Sequence, residues 1–113
     1  MSEKGRETMV EPIRISSQEA YKKVKAGEAI LVCGYEDEAK FKPFHLEMAI
    51  SVSEFLEKLA TLSKDQEIIF YCAWPKEATS AGQAAKYSSM GYKNVKALAG
   101  GVEGWKKAGY KQL

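Results

Sequence analysis

The run Ala29-Ile30-Leu31-Val32-Cys33 is apolar throughout, with no polar alternation. A strand of that kind is covered on both faces, as an interior strand of a parallel sheet is when helices lie on each side. A second run, Ile68-Ile69-Phe70-Tyr71, is rich in β-branched and aromatic residues and ends on Cys72. Helical patterns separate these runs. Ser16 and Glu19 stand in capping-box spacing ahead of Ala20, Tyr21 and Val24, and Gly27 is a stop signal, which predicts a helix over about 17–26. Ser51 and Glu54 repeat the spacing, with Phe55, Leu56, Leu59, Ala60 and Leu62 as the apolar face.

The remaining segments continue the alternation. Pro12-Ile13-Arg14-Ile15 reads as a short edge strand, where a proline is tolerated. Gly34-Tyr35-Glu36-Asp37 reads as a turn, Glu38–Phe41 as one helical turn stopped before Pro43, and Met48-Ala49-Ile50 as a short strand. After Cys72, Ala81, Ala84, Ala85, Tyr87 and Met90 follow a helical period closed by Gly91. Val95–Ala99 is the next strand, and Gly100-Gly101 leads into a last helix over Val102–Ala108, closed by Gly109. Strands alternating with helices predict an α/β layer fold with a mainly parallel sheet and right-handed crossovers. Residues 1–11 are polar and read as a flexible amino-terminal segment, leaving 12–113 as a single domain.

Charge and composition exclude several classes. The net charge is +2 and the 17 lysines and arginines are spread along the chain, so no basic stripe invites nucleic acid. No apolar run approaches the ~20 residues that span a bilayer. The amino end lacks the apolar region of a signal peptide, which predicts a cytoplasmic protein. Two cysteines make no disulfide framework, and with His45 as the single histidine a zinc site is short of ligands.

Ligands of parallel sheets sit at the carboxyl ends of strands, where both Cys72 and Cys33 fall. Cys72 is followed by the loop Ala73-Trp74-Pro75-Lys76-Glu77-Ala78 and then Thr79-Ser80 at the helix start. The N–H groups of that helix end would face the thiol and stabilise a thiolate. Such a thiolate can attack sulfur, phosphorus or a disulfide; the alternative is a buried cysteine that merely finishes a core strand. Phosphorus chemistry of the Cys-x5-Arg kind requires an arginine about six residues on, to clamp the oxyanion. Ala78 stands there, and Arg6 and Arg14 are the only arginines.

The chain resembles the rhodanese-like family over roughly residues 13–110. Tyr71-Cys72, Ser80-Ala81 with Ala84-Ala85, Gly91-Tyr92, Val95, Leu98-Ala99-Gly100-Gly101, Trp105 and Gly109-Tyr110 match its carboxyl half. Ile15-Ser16, Ala29–Cys33, and Phe44-His45-Leu46 with Ala49-Ile50 fit its first half. The resemblance implies a rhodanese-like α/β fold, a five-stranded, mostly parallel sheet flanked by helices on both faces. It implies a catalytic Cys72 that accepts a sulfane sulfur as a persulfide and passes it to a thiol or cyanide. Residues 73–80 (Ala73, Trp74, Pro75, Lys76, Glu77, Ala78, Thr79, Ser80) would form the substrate-binding loop. No metal or organic cofactor is implied. The expected partners are a small sulfur donor and acceptor or a sulfur-carrier protein, without nucleic acid or membrane, on a monomer or weak homodimer.

Two departures from the family pattern bear on the substrate. Cys33-Gly34-Tyr35 replaces the usual Asp-x-Arg. The segment from Cys72 to Thr79 is longer than the usual six-residue loop, contains Trp74-Pro75 and has no glycine. A loop of that size should cradle thiosulfate poorly, which favours a persulfide, polysulfide or protein-bound donor. Lys76 is either an aid to the anion or a solvated lysine, Glu77 reads as a helix cap, and Thr79 and Ser80 as cap residues. Trp74 is a lid or a partner contact, Trp105 core, and His45 structural. In the family's strand order the second and fourth strands are neighbours, ~4.8 Å apart, so Cys33 is a candidate second, resolving thiol for redox work. A non-catalytic interaction domain is the other alternative.

Overall fold

The computed structural model describes residues 13–35, 39, 42–72 and 78–112, with side chains assigned outside 78–80. Five strands form one sheet: β1 (Ile13–Ile15), β2 (Ala29–Cys33), β3 (Ala49–Ile50), β4 (Glu67–Tyr71) and β5 (Val95–Leu98). Their order is β1-β5-β4-β2-β3, and every ladder is parallel. The only antiparallel pairing among the described residues is an isolated bridge between Leu46 and Gln112. Among the described residues, four helices flank the sheet: α1 (Ser17–Lys25), α2 (Val52–Leu59), α3 (Ala78–Ser89) and α4 (Gly101–Lys107).

The unalternating apolar strands are explained by two cores. Leu31 and Cys33 of β2 and Ile69 and Tyr71 of β4 face one side, with Ala20 of α1 and Val102 and Trp105 of α4. Val32, Ile68 and Phe70 face the other, with Phe55 of α2 and Ala84 and Tyr87 of α3. Successive residues of a strand point to opposite faces, so a strand between two helical layers has no polar position to spare. The buried charged side chain among the described residues, Glu67, stands at the start of β4 and is held by Lys23 at 3.2 Å and Lys96 at 2.5 Å.

Helix starts follow the caps read in the sequence. Ser16 Oγ accepts from the Glu19 N–H, and at Ser51 both directions of the capping box are formed. Several expectations are corrected. Leu56 on α2 and Ala60 just past its end are exposed; the inward residues are Val52, Phe55 and Leu59, with Leu62 beyond the helix, and Leu56 lies 100° round from the buried Phe55. On α3, Ala85 and Met90 are likewise exposed, while Gln83 is buried. Met48 is not in β3: its φ of 69° turns the chain just before the strand. Its place is the turn closed by the Ala49 N–H to the Leu46 carbonyl, a left-handed position that favours glycine. A 3-10 turn covers Lys42–Phe44 and includes Pro43, beyond the expected stop, since so short a turn has no proline N–H to lose. Of the turn expected over Glu38–Phe41 only Ala39 is described, and Pro12, Glu36 and Asp37 lie outside the described residues, as does the segment 1–11. Ala99 falls just after β5, and α1 and α4 end one residue earlier than their patterns suggest. No described helix is long and apolar enough to cross a membrane.

Candidate active site

Cys72 is the first residue beyond β4, rather than its last, and is buried. The backbone around it is fixed from two sides. The Gly34 N–H donates to the Tyr71 carbonyl at 2.7 Å, extending the β2–β4 contact by one step past the ladder. The Val102 N–H donates to the Cys72 carbonyl at 3.0 Å, so the first turn of α4 docks on the residue that carries the thiol.

That docking explains the Gly-Gly turn. Gly100 has φ 80° and Gly101 φ 57°, conformations that favour glycine, and together they swing α4 back under the end of β4. Gly104 permits the close approach: a Cβ there would stand 3.0 Å from the Ala99 carbonyl oxygen and 3.5 Å from Ser17 Oγ. Trp105 is then fully buried, its indole N–H donating to the Lys111 carbonyl at 3.1 Å, as its assignment to the core requires.

Tyr71, beside Cys72, ties the strand to the segment preceding β3. Its hydroxyl donates to the Phe44 carbonyl at 2.7 Å and accepts from the Leu46 N–H at 3.3 Å. Burial pushes its ionisation far above the usual tyrosine range, so the hydroxyl stays a donor. His45 bonds the Ala49 carbonyl through Nε2 at 3.1 Å, a structural contact.

Cys33 ends β2 opposite Tyr71 in the parallel register and packs in the α1/α4 core. Burial raises its pKa; bonds with the Tyr35 backbone and the Tyr71 hydroxyl pull the other way, and the neighbouring Cys72 adds to the rise. Cys33 and Cys72 are therefore brought to one edge of the sheet and are not joined by a disulfide. A thiol desolvated like that of Cys33 gives up its proton reluctantly.

Of the expected loop, Ala73, Trp74, Pro75, Lys76 and Glu77 lie outside the described residues. Ala78 is the first residue of α3, so Thr79 and Ser80 sit inside its first turn and not at the cap. The helix amino end expected after the cysteine is present, six residues downstream of it. Among the described residues no group of three or more His, Cys, Asp or Glu could hold a metal ion.

Gln83 was the residue missed. Buried on α3, it donates from Nε2 to the Gly34 carbonyl at 3.0 Å. A glutamine between Ala81 and Ala84 on a helix face that is otherwise small and apolar was the available signal, since a buried amide implies a specific partner.

Comparison with known proteins accords with this arrangement. A model of the rhodanese-like domain matches residues 16–108. No curated protein matches the chain. Among solved structures, the rhodanese-like domain of an Anabaena protein is 18% identical over 92% of this chain and 80% of its own, with a TM-score of 0.71. A thiosulfate sulfurtransferase from Pseudomonas aeruginosa is 25% identical over 88% of this chain, with a TM-score of 0.69; the match spans 19% of that larger protein. A Rhodopseudomonas palustris protein of unknown function, described as a possible tyrosine phosphatase, is 21% identical over 90% of this chain and 85% of its own, with a TM-score of 0.70. With the family model spanning most of its length and this sheet order beneath it, the chain belongs to the rhodanese-like domain family.

Proposed function

We propose that this protein is a sulfurtransferase that carries sulfane sulfur on Cys72. The observation that supports it most is the position of Cys72: one residue past β4, its carbonyl bonded to α4, ahead of the amino end of α3. In the first half-reaction the Cys72 thiolate attacks the outer sulfur of a donor R–S–S⁻. The S–S bond of the donor breaks, R–S⁻ leaves, and Cys72–S–S⁻ remains. In the second, an acceptor thiolate attacks the terminal sulfur and Cys72 leaves as thiolate. Backbone N–H groups of the first turn of α3 suit the persulfide anion, as the positive end of a helix dipole. The sequence similarity to a thiosulfate sulfurtransferase supports the same reaction class, whereas the enlarged loop, with Trp74 and Glu77 in it, favours a persulfide, polysulfide or protein-bound donor over thiosulfate.

The test is to incubate the protein with thiosulfate, a glutathione-type persulfide and polysulfide in turn and weigh it intact. We expect a gain of one sulfur, about 32 Da, with the persulfide or polysulfide, and its loss in Cys72→Ser. No gain with any donor would refute the reading and leave a rhodanese-like interaction domain.

A further inference from the structure

We propose that Gln83 is a positioning residue that holds the amino end of α3 at a fixed distance from Cys72, acting through Gly34. This rests on Cys72 being the reactive thiol of the site.

The link consists of two hydrogen bonds and one residue. Gln83 Nε2 donates to the Gly34 carbonyl at 3.0 Å, and the Gly34 N–H donates to the Tyr71 carbonyl at 2.7 Å, next to Cys72. Gly34 thus joins α3 to the end of β4 with one hydrogen bond on each side. All three residues are buried, so water does not substitute readily for either bond. The bond to a carbonyl also fixes the amide: the nitrogen, not the oxygen, must face Gly34.

Packing alone would leave α3 free to slide at this end. Its large core contact, Tyr87, lies one turn further from the site and stacks on Phe70, with Phe55 edge-on. Among the described side chains, the buried apolar face towards the amino end narrows to Ala84, and Gly82 adds no side chain. Small residues let a helix approach a sheet but do not fix its position along it, because dispersion contact over a flat face changes little with translation. A directional bond does fix it. Gln83 stands five residues after Ala78, ~7.5 Å along the axis at 1.5 Å per residue, so among the described side chains it is the directional contact nearest to the turn whose N–H groups would face the thiol.

The experiment uses Gln83→Met, which keeps the length and removes the donor, with Gln83→Leu as a second donor-free variant. Val95→Ala, at the opposite end of the sheet, serves as a control for general destabilisation. Alkylation of Cys72 is followed peptide by peptide against pH, well below each variant's unfolding midpoint. We expect both Gln83 variants to react about fivefold more slowly at neutral pH, the equivalent of one neutral hydrogen bond, with the rate–pH profile displaced upward. Val95→Ala, of similar or lower stability, should retain the wild-type profile. Rates and profiles within twofold of wild type in both Gln83 variants would overturn the inference. So would an equal displacement in Val95→Ala, since loosening anywhere would then have the same effect. The readout needs no sulfur donor. A displaced profile in a protein that never gains sulfur would sink the proposed function alone, and normal sulfur loading with an unmoved profile would sink this inference alone.

Discussion

Replacing Tyr71 by Phe removes a single oxygen that serves two backbone groups at once. The side chain is fully buried, as is Leu46, whose N–H it accepts at 3.3 Å. An unpaired buried N–H costs ~1–3 kcal/mol, and the length of this bond argues for the lower end, about 1 kcal/mol. The second bond, to the Phe44 carbonyl at 2.7 Å, is well made, but Phe44 is only half-buried and its carbonyl can turn to water, so about 1 kcal/mol more is lost. The ring and its packing are unchanged, so no cavity is added. The expected loss is about 2 kcal/mol, or roughly 10 °C in Tm for a domain of this size. Denaturant unfolding should show a lower midpoint with the same slope, as the surface exposed on unfolding is unchanged. Because burial keeps the hydroxyl protonated, the loss should be constant between about pH 6 and 9. Tyr92→Phe is the control: that ring is also buried, and among the described residues its hydroxyl makes no hydrogen bond, so it should cost almost nothing. A Tyr71→Phe cost below ~0.5 kcal/mol, or one equal to that of Tyr92→Phe, would refute the idea that the hydroxyl tethers the 44–46 segment.

Glu67→Gln tests the buried charge cluster. Burial pushes the Glu67 carboxyl up, yet bonds from Lys96 and Lys23 outweigh this and hold it below the usual carboxylate range. A depressed folded-state pKa contributes stability that is present above the unfolded value, ~4.3, and lost as pH falls through the folded one. The variant should therefore be about 2 kcal/mol less stable at pH 7, and the gap to wild type should close under acid; a gap that stays constant with pH would count against the assignment. The two caps offer a comparison within one protein. Ser51→Ala removes the Oγ that accepts from the Glu54 N–H but leaves the Ser51 N–H bonded to Glu54 Oε1, so it should cost ~1 kcal/mol by denaturant unfolding, as Ser16→Ala should; adding Glu54→Ala to Ser51→Ala should cost more, and no further loss would show that the reciprocal bond adds nothing.

The architecture was legible because local signals and burial agreed. Ala29–Cys33 lacks alternation, and it lies between two helical layers; Ser16 and Ser51 have the spacing of caps, and both cap. Errors arose where an apolar residue was assumed to face inward. Leu56 and Met90 fit a generous helical stripe, but the sheet below covers a narrower one, and apolar residues on a protein surface are ordinary. Met48 shows a different limit. Nothing in a methionine announces a positive φ, and its residue type argues for the strand that the turn interrupts.

The site was legible to the level of its edge and not of its bonds. Cys72 could be placed because an apolar run, a loop and a helix start in that order constrain where the cysteine lies, whatever the contacts. Cys33 could be placed beside it through the neighbouring strands. What holds the edge together uses groups the sequence gives no reason to pair: a glycine carbonyl, a glutamine amide forty-nine positions away, a tyrosine hydroxyl, and the N–H of Val102. Each joins segments far apart in sequence, and backbone donors carry no residue signature. These bonds run to Cys72 or its neighbours from the end of β2, from α4 and from the segment before β3, and among the described residues α3 is tied to this edge by the Gln83 side-chain amide. If one element were to set how tightly an anion is held at Cys72, it would be that helix.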